Sequence, residues 1–123
     1  AAAVASMLES SDLVAGVLYP GLESHDTHEA AKELTGGKGY GAMIAFDLAG
    51  ASPEAKRKNR DRFIAAVYPE IRLIPTLGDN HTILMPVEAV WGTKYPEPGM
   101  IRLSVGYEKT DRLAEIIGRG LKG

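Results

Sequence analysis

Met100-Ile101-Arg102-Leu103-Ser104-Val105-Gly106 alternates in polarity with a period of two. Read as a β-strand, it puts Ile101, Leu103 and Val105 on one face and Arg102 with Ser104 on the other. The segment after it, from about Thr110 to Leu121, changes period: Leu113, Ile116, Ile117 and Leu121 fall on one side of a helix. A strand with one apolar face, followed by a helix with one apolar stripe, predicts a sheet covered by helices. Toward the N-terminus, Val87 to Gly99 contains Pro96 and Pro98 and reads as irregular. Ile71 to Ile74 and Thr82 to Met85 are short strand candidates, with a turn at Leu77-Gly78-Asp79-Asn80 between them.

Ser52-Pro53 has the form of a helix start, Ser at the N-cap and Pro in the first turn. That helix should run to about Tyr68, stop at Pro69, and turn Phe63, Ile64 and Val67 inward. Ala42 to Leu48 and Leu13 to Tyr19 read as strands, the second ended by Pro20-Gly21. Between them a helix from about Asp26 to Leu34 is predicted, with Asp26 and Glu29 as a capping box and Ala30, Ala31 and Leu34 as its apolar face. Ala1 to Leu8 is made of helix formers, with Val4, Met7 and Leu8 on one side, and no capping residue precedes it, so it reads as the tail of a longer helix. Strands and helices do not alternate strictly. The expected fold is therefore α+β, a two-layer arrangement of a mixed, mainly antiparallel sheet with helices packed on one face.

The 123 residues, 45% hydrophobic and 24% charged, suit one globular domain. Fourteen Lys and Arg against sixteen Asp and Glu give a net charge of −2, which offers no general attraction to nucleic acid or anionic membrane. Zero cysteines exclude disulfides, thiol catalysis and Cys-zinc sites from this chain. No apolar run approaches the roughly 20 residues that span a bilayer, and the first residues lack the basic start of a signal peptide.

Four constellations invite a chemical reading. His25 and His28 have the i, i+3 spacing of a helical metal pair, but the pattern lacks a third ligand, and polar first-turn residues explain it; no metal is expected. Ser24-His25-Asp26 holds the residue types of a triad in consecutive positions that cannot form its geometry. Gly36-Gly37-Lys38-Gly39-Tyr40-Gly41 leaves a helix and enters a strand, the reverse of a phosphate loop, and fits a helix C-cap and turn. Lys56, Arg57, Lys58, Arg60 and Arg62, interleaved with Glu54 and Asp61, read as a solvated helix face. Arg102 is the remaining charge of interest. An Arg held rigidly on a strand is a good bidentate receptor for a carboxylate, and equally a partner for a structural ion pair.

Several of these segments together resemble a known family. Tyr19-Pro20-Gly21-Leu22-Glu23-Ser24-His25 with His28, Ala31 and Lys32, then Gly39-Tyr40-Gly41-Ala42-Met43-Ile44-Ala45-Phe46, Thr76-Leu77-Gly78-Asp79 and Ile101-Arg102-Leu103-Ser104-Val105-Gly106-Tyr107-Glu108 are similar, in order, to the C-terminal domain of the Cys/Met-metabolism PLP-dependent enzymes. That group includes cystathionine γ-synthase, the cystathionine lyases and methionine γ-lyase. The resemblance implies the small C-terminal domain of PLP-dependent transferase fold type I, with residues 1–12 as the end of an inter-domain helix, 13–123 as a substrate-carboxylate-binding domain, and the PLP-binding large domain outside this chain. It implies pyridoxal 5'-phosphate in the complete enzyme, where the cofactor acts as an electron sink for elimination or replacement at Cβ or Cγ of a sulfur-containing or O-acylated amino acid.

It further implies that Arg102 grips the substrate α-carboxylate, that Thr76 stands beside it at a position usually held by Ser, and that Leu77 and Gly78 line the site. A cytoplasmic homotetramer is the implied assembly, and this chain alone is expected to be inactive. Met85-Pro86-Val87-Glu88-Ala89-Val90-Trp91-Gly92 departs from a His-Pro-x-Ser-x-Thr-His stretch frequent in the family, and Thr93-Lys94-Tyr95 lies in the wrong place for the Schiff-base motif, so Lys94 is not assigned to PLP. The alternative is a stand-alone, non-catalytic α+β binding module.

Overall fold

The computed structural model describes residues 1–36, 40–74, 80–91 and 98–122. Among them five strands form one sheet in the order β1-β2-β5-β4-β3. They are β1 (Val14–Leu18), β2 (Met43–Leu48), β3 (Arg72–Leu73), β4 (Ile83–Pro86) and β5 (Met100–Ser104). Neighbours β1/β2, β2/β5 and β5/β4 run antiparallel and β4/β3 parallel. The helices are α1 (Ala2–Glu9), α2 (His28–Thr35), α3 (Pro53–Val67), α4 (Val87–Trp91) and α5 (Thr110–Lys122). The fold is the expected mixed, mainly antiparallel sheet with helices.

The alternation of β5 decides which face is covered. Ile101 and Leu103 are fully buried, as are their partners across the ladder, Phe46 and Ile44 on β2 and Leu84 on β4. These side chains join Val4 and Leu8 of α1, Phe63 and Val67 of α3, and Leu113, Ile116 and Ile117 of α5 in one core cluster. Phe46 meets Phe63 edge-on, ring centroids 5.5 Å apart, joining sheet to helix layer. α3 and α5 approach closely because residue 120 is glycine: a Cβ there would lie 2.5 Å from Val67 and 2.9 Å from the Phe63 ring.

Helix α3 begins as its sequence predicts. The Ser52 hydroxyl accepts a hydrogen bond from the Ala55 amide at 3.1 Å, with Pro53 in the first turn. Such a cap is worth about 1 kcal/mol. Other expectations are corrected. Helix α2 starts at His28 behind Thr27, and no side chain caps it, so the Asp26–Glu29 box does not form. Its apolar residues stay outside the core: no residue of α2 is buried, and Leu34 is 88% exposed. Within the segment expected to be irregular, Val87–Trp91 forms a short helix with Glu88 in its first turn.

Candidate functional site

Arg102 lies in the middle of β5, the central strand of the sheet, directly between Ala45 of β2 and Met85 of β4. Alternation turns its side chain away from the face that packs on α1, α3 and α5. Ile83 and Met85, on the same face as Arg102, are buried but do not belong to the core cluster. Arg102 itself is half-buried and engaged in an interaction within the molecule. Across β2, the same face continues to Leu18, which is 55% exposed. An arginine is thus fixed by strands on both sides and set among apolar neighbours, a setting that strengthens a charge-assisted pair. Thr76, Leu77 and Gly78, expected beside it, lie outside the described residues, as do Lys94 and the turn at Leu77-Gly78-Asp79.

Two knots of side-chain contacts lie at the same end of the strands, where β1 and β5 end and β2 and β4 begin. In the first, Tyr19 is buried and donates its hydroxyl to the Gly41 carbonyl at 3.0 Å. Burial pushes the Tyr19 phenol above its ordinary range, with the nearby Tyr40 adding to the shift. His28 places Nδ1 2.7 Å from the Pro20 carbonyl and stacks its ring on Tyr40, centroids 5.5 Å apart. With a carbonyl as partner, that Nδ1 carries the hydrogen and donates it. Gly21 leaves room for both tyrosines: a Cβ there would overlap the Tyr19 ring and lie 3.1 Å from Tyr40. His25 is occupied separately, its Nδ1 3.2 Å from the Thr27 amide, so the two histidines serve different contacts. Gly36 closes α2 in the left-handed conformation at φ 66°, as a C-cap should.

The second knot lies where β5 ends and β4 begins. The Glu108 carboxylate accepts the Thr82 amide at 2.8 and 3.0 Å and the Thr82 hydroxyl at 2.8 Å. The same hydroxyl accepts the Gly106 amide at 2.9 Å. Tyr107 donates its amide to the Asn80 carbonyl at 2.8 Å. Thr82 does not stand out in the sequence, and Glu108 does so only as the last residue of the family-like segment; their contacts span 24 and 26 residues, and no local pattern joins them.

The basic cluster on α3 is not simply solvated. Arg57 forks onto Glu88 of α4 at 2.8 and 3.0 Å, which holds the Glu88 carboxyl below its usual range. Lys56 pairs with Asp47 at 2.8 Å. Arg60 is only 7% exposed; it donates to the Pro98 carbonyl at 3.2 Å and to Asp61 at 2.9 Å. These charges tie α3 to the sheet and to α4. The remaining described lysines, Lys32, Lys58, Lys109 and Lys122, are exposed.

The family model of the Cys/Met metabolism PLP-dependent enzymes matches residues 1–122. The chain belongs to this family. Within it, the chain is 37% identical over 128 residues to canavanine gamma-lyase of Pseudomonas canavaninivorans, covering 96% of this chain and 30% of that protein. Cystathionine gamma-lyase of mouse is 35% identical, with 98% of this chain and 30% of the relative covered. O-succinylhomoserine sulfhydrylase of Pseudomonas aeruginosa is 34% identical over 98% of this chain and 30% of the relative. The structure of O-acetylhomoserine sulfhydrylase from Wolinella succinogenes superposes with a TM-score of 0.82 at 27% identity, over 98% of this chain and 32% of that one. The chain therefore spans about 30% of the length of the curated relatives it matches.

Family membership implies pyridoxal phosphate, and the described residues do not fit a cradle for it. The group needs a lysine in an enclosed site, and the described lysines are exposed or, for Lys56, paired with a carboxylate.

Proposed function

We propose that this chain is the C-terminal domain of a PLP-dependent enzyme of sulfur amino acid metabolism, a carbon–sulfur lyase or a transferase, and that it binds the α-carboxylate of the substrate. Residues 13–123 form that domain, and residues 1–12 end the helix leading into it. The observation that carries the reading is Arg102, held on the central strand between Ala45 and Met85, on the face opposite the helix layer. A guanidinium so placed binds a carboxylate through two parallel N–H···O bonds and so orients the substrate as well as retaining it. Thr76 would add a hydroxyl to the same carboxylate, with Leu77 and Gly78 lining the pocket. Substrates would be sulfur-containing or O-acylated amino acids, and the complete enzyme a cytoplasmic homotetramer.

The cofactor supplies the electron sink when bound to the complete enzyme. The residues of this chain bind and orient. In the complete enzyme, Arg102→Ala should weaken substrate binding by about 2–4 kcal/mol, seen mainly as a higher KM. Arg102→Lys keeps the charge but loses the fork, and should recover only part of that loss. An unchanged KM in Arg102→Ala removes Arg102 from the site. The 123 residues alone should show no turnover with or without added pyridoxal phosphate, and carbon–sulfur lyase activity from them would contradict the proposal.

A further inference from the structure

We infer that Glu108 and Thr82 are positioning residues for the carboxylate pocket, a clasp that sets the register of β4 against the strand bearing Arg102. The inference rests on the proposed role of Arg102. The β4–β5 ladder is four pairs long, from Ile83↔Ser104 to Pro86↔Ile101. At its far end stands Pro86, which has no amide hydrogen to give the ladder. At its near end stands the clasp, where a buried threonine and a carboxylate gather the polar contacts of both strands.

Thr82 is 1% exposed, and its amide and hydroxyl both donate to Glu108. Its hydroxyl oxygen in turn takes the Gly106 amide, so the chain leaving β5 is bonded to the residue entering β4. Gly106 permits this approach. A Cβ there would overlap the Asn80 carbonyl oxygen and lie 2.5 Å from the His81 carbonyl carbon, both backbone atoms that cannot swing aside.

The consequence for the site follows from the pleat. A slip of β4 by one residue would take Met85 off the face it shares with Arg102 and turn Leu84 onto it. The apolar wall beside the guanidinium then changes, and with it the strength of the carboxylate pair. Backbone hydrogen bonds alone specify this short, proline-ended ladder weakly; a charged acceptor on a buried amide and hydroxyl specifies it strongly. Asn80, whose carbonyl takes the Tyr107 amide, extends the same anchorage further from β4.

The test uses the complete PLP-loaded enzyme and reads KM, kcat and the visible absorption band of the bound cofactor. Glu108→Gln and Thr82→Val should each raise KM about tenfold, as expected for losing a charge-assisted hydrogen bond, with kcat within about twofold. The cofactor band should keep its position and intensity, which a general loss of folding would not allow. Thr82→Ser, which keeps the hydroxyl, should recover most of the affinity lost in Thr82→Val.

In an Arg102→Ala background, neither substitution should raise KM further, because the group they position is gone. If Arg102→Ala raises KM while Glu108→Gln and Thr82→Val leave it unchanged, or add their full effect in that background, the clasp has no positioning role and the carboxylate proposal survives. If Arg102→Ala itself leaves KM unchanged, both fall together. Should Glu108→Gln fail to fold, the Thr82→Ser and Thr82→Val pair alone decides, since Thr82→Val keeps the shape without the hydroxyl and Thr82→Ser keeps the hydroxyl at the loss of one methyl.

Discussion

Helices α2 and α5 both present apolar residues at helical spacing: Ala30, Ala31 and Leu34 in the first, Leu113, Ile116 and Ile117 in the second. In α5 all three are buried against the sheet and α3. In α2 none is, and its first residue, His28, reaches the rest of the chain through a hydrogen bond to Pro20 and a ring stack on Tyr40. Periodicity thus states which face a helix would bury, not whether anything lies opposite it. The α5 stripe is longer and bulkier and has Gly120 to bring α3 within reach; α2 spans only eight residues and follows a polar turn.

Substitutions can break or sharpen this contrast, and denaturant unfolding measures them. Ile117→Ala should cost the most, about 2–5 kcal/mol, by opening a cavity between α5 and the sheet. Gly120→Ala should come next, about 1–3 kcal/mol, because the added methyl meets Val67 and Phe63. Two residues away, a methyl on Gly118 would have no neighbour within 4 Å, and Gly118→Ala should stabilise by up to about 1 kcal/mol through helix propensity alone. Leu34→Ala should fall within about 0.5 kcal/mol of zero. A loss at Leu34 comparable to that at Ile117 would mean that α2 is covered in solution, and the contrast would fail.

Much of the fold was legible because its signals are local. Ser52 and Pro53 mark a helix start through the hydroxyl and ring they carry, and the structure uses both. The alternation from Met100 to Ser104 settles the two faces of the central strand. What stayed illegible depends on distant partners. The basic run on α3 looks solvated until Glu88 and Pro98, 31 and 38 residues away, are folded against it. Asp26 looks like a cap because of its spacing from Glu29, yet the chain turns through Thr27 and only then enters the helix. Of the candidate site, Arg102 is visible from its own strand and from the family-like motif around it. Glu108 closes that motif, but its contact with Thr82 is not visible there, since it exists only once β4 lies beside β5.

The position of β5 also bears on how the molecule assembles. Among the described residues it is the last strand in sequence and yet lies inside the sheet, with β2 on one side and β4 on the other. During synthesis, the β1–β2 pair and the β3–β4 pair are therefore complete before the strand that joins them has been made. Each waits with an open edge, the kind that recruits foreign strands. Their union depends on closing loops of long sequence separation, which makes folding slow relative to a helical domain of this size. The strand that carries Arg102 is thus also the keystone of assembly, and a chain stalled before Met100 would leave two half-sheets prone to aggregate.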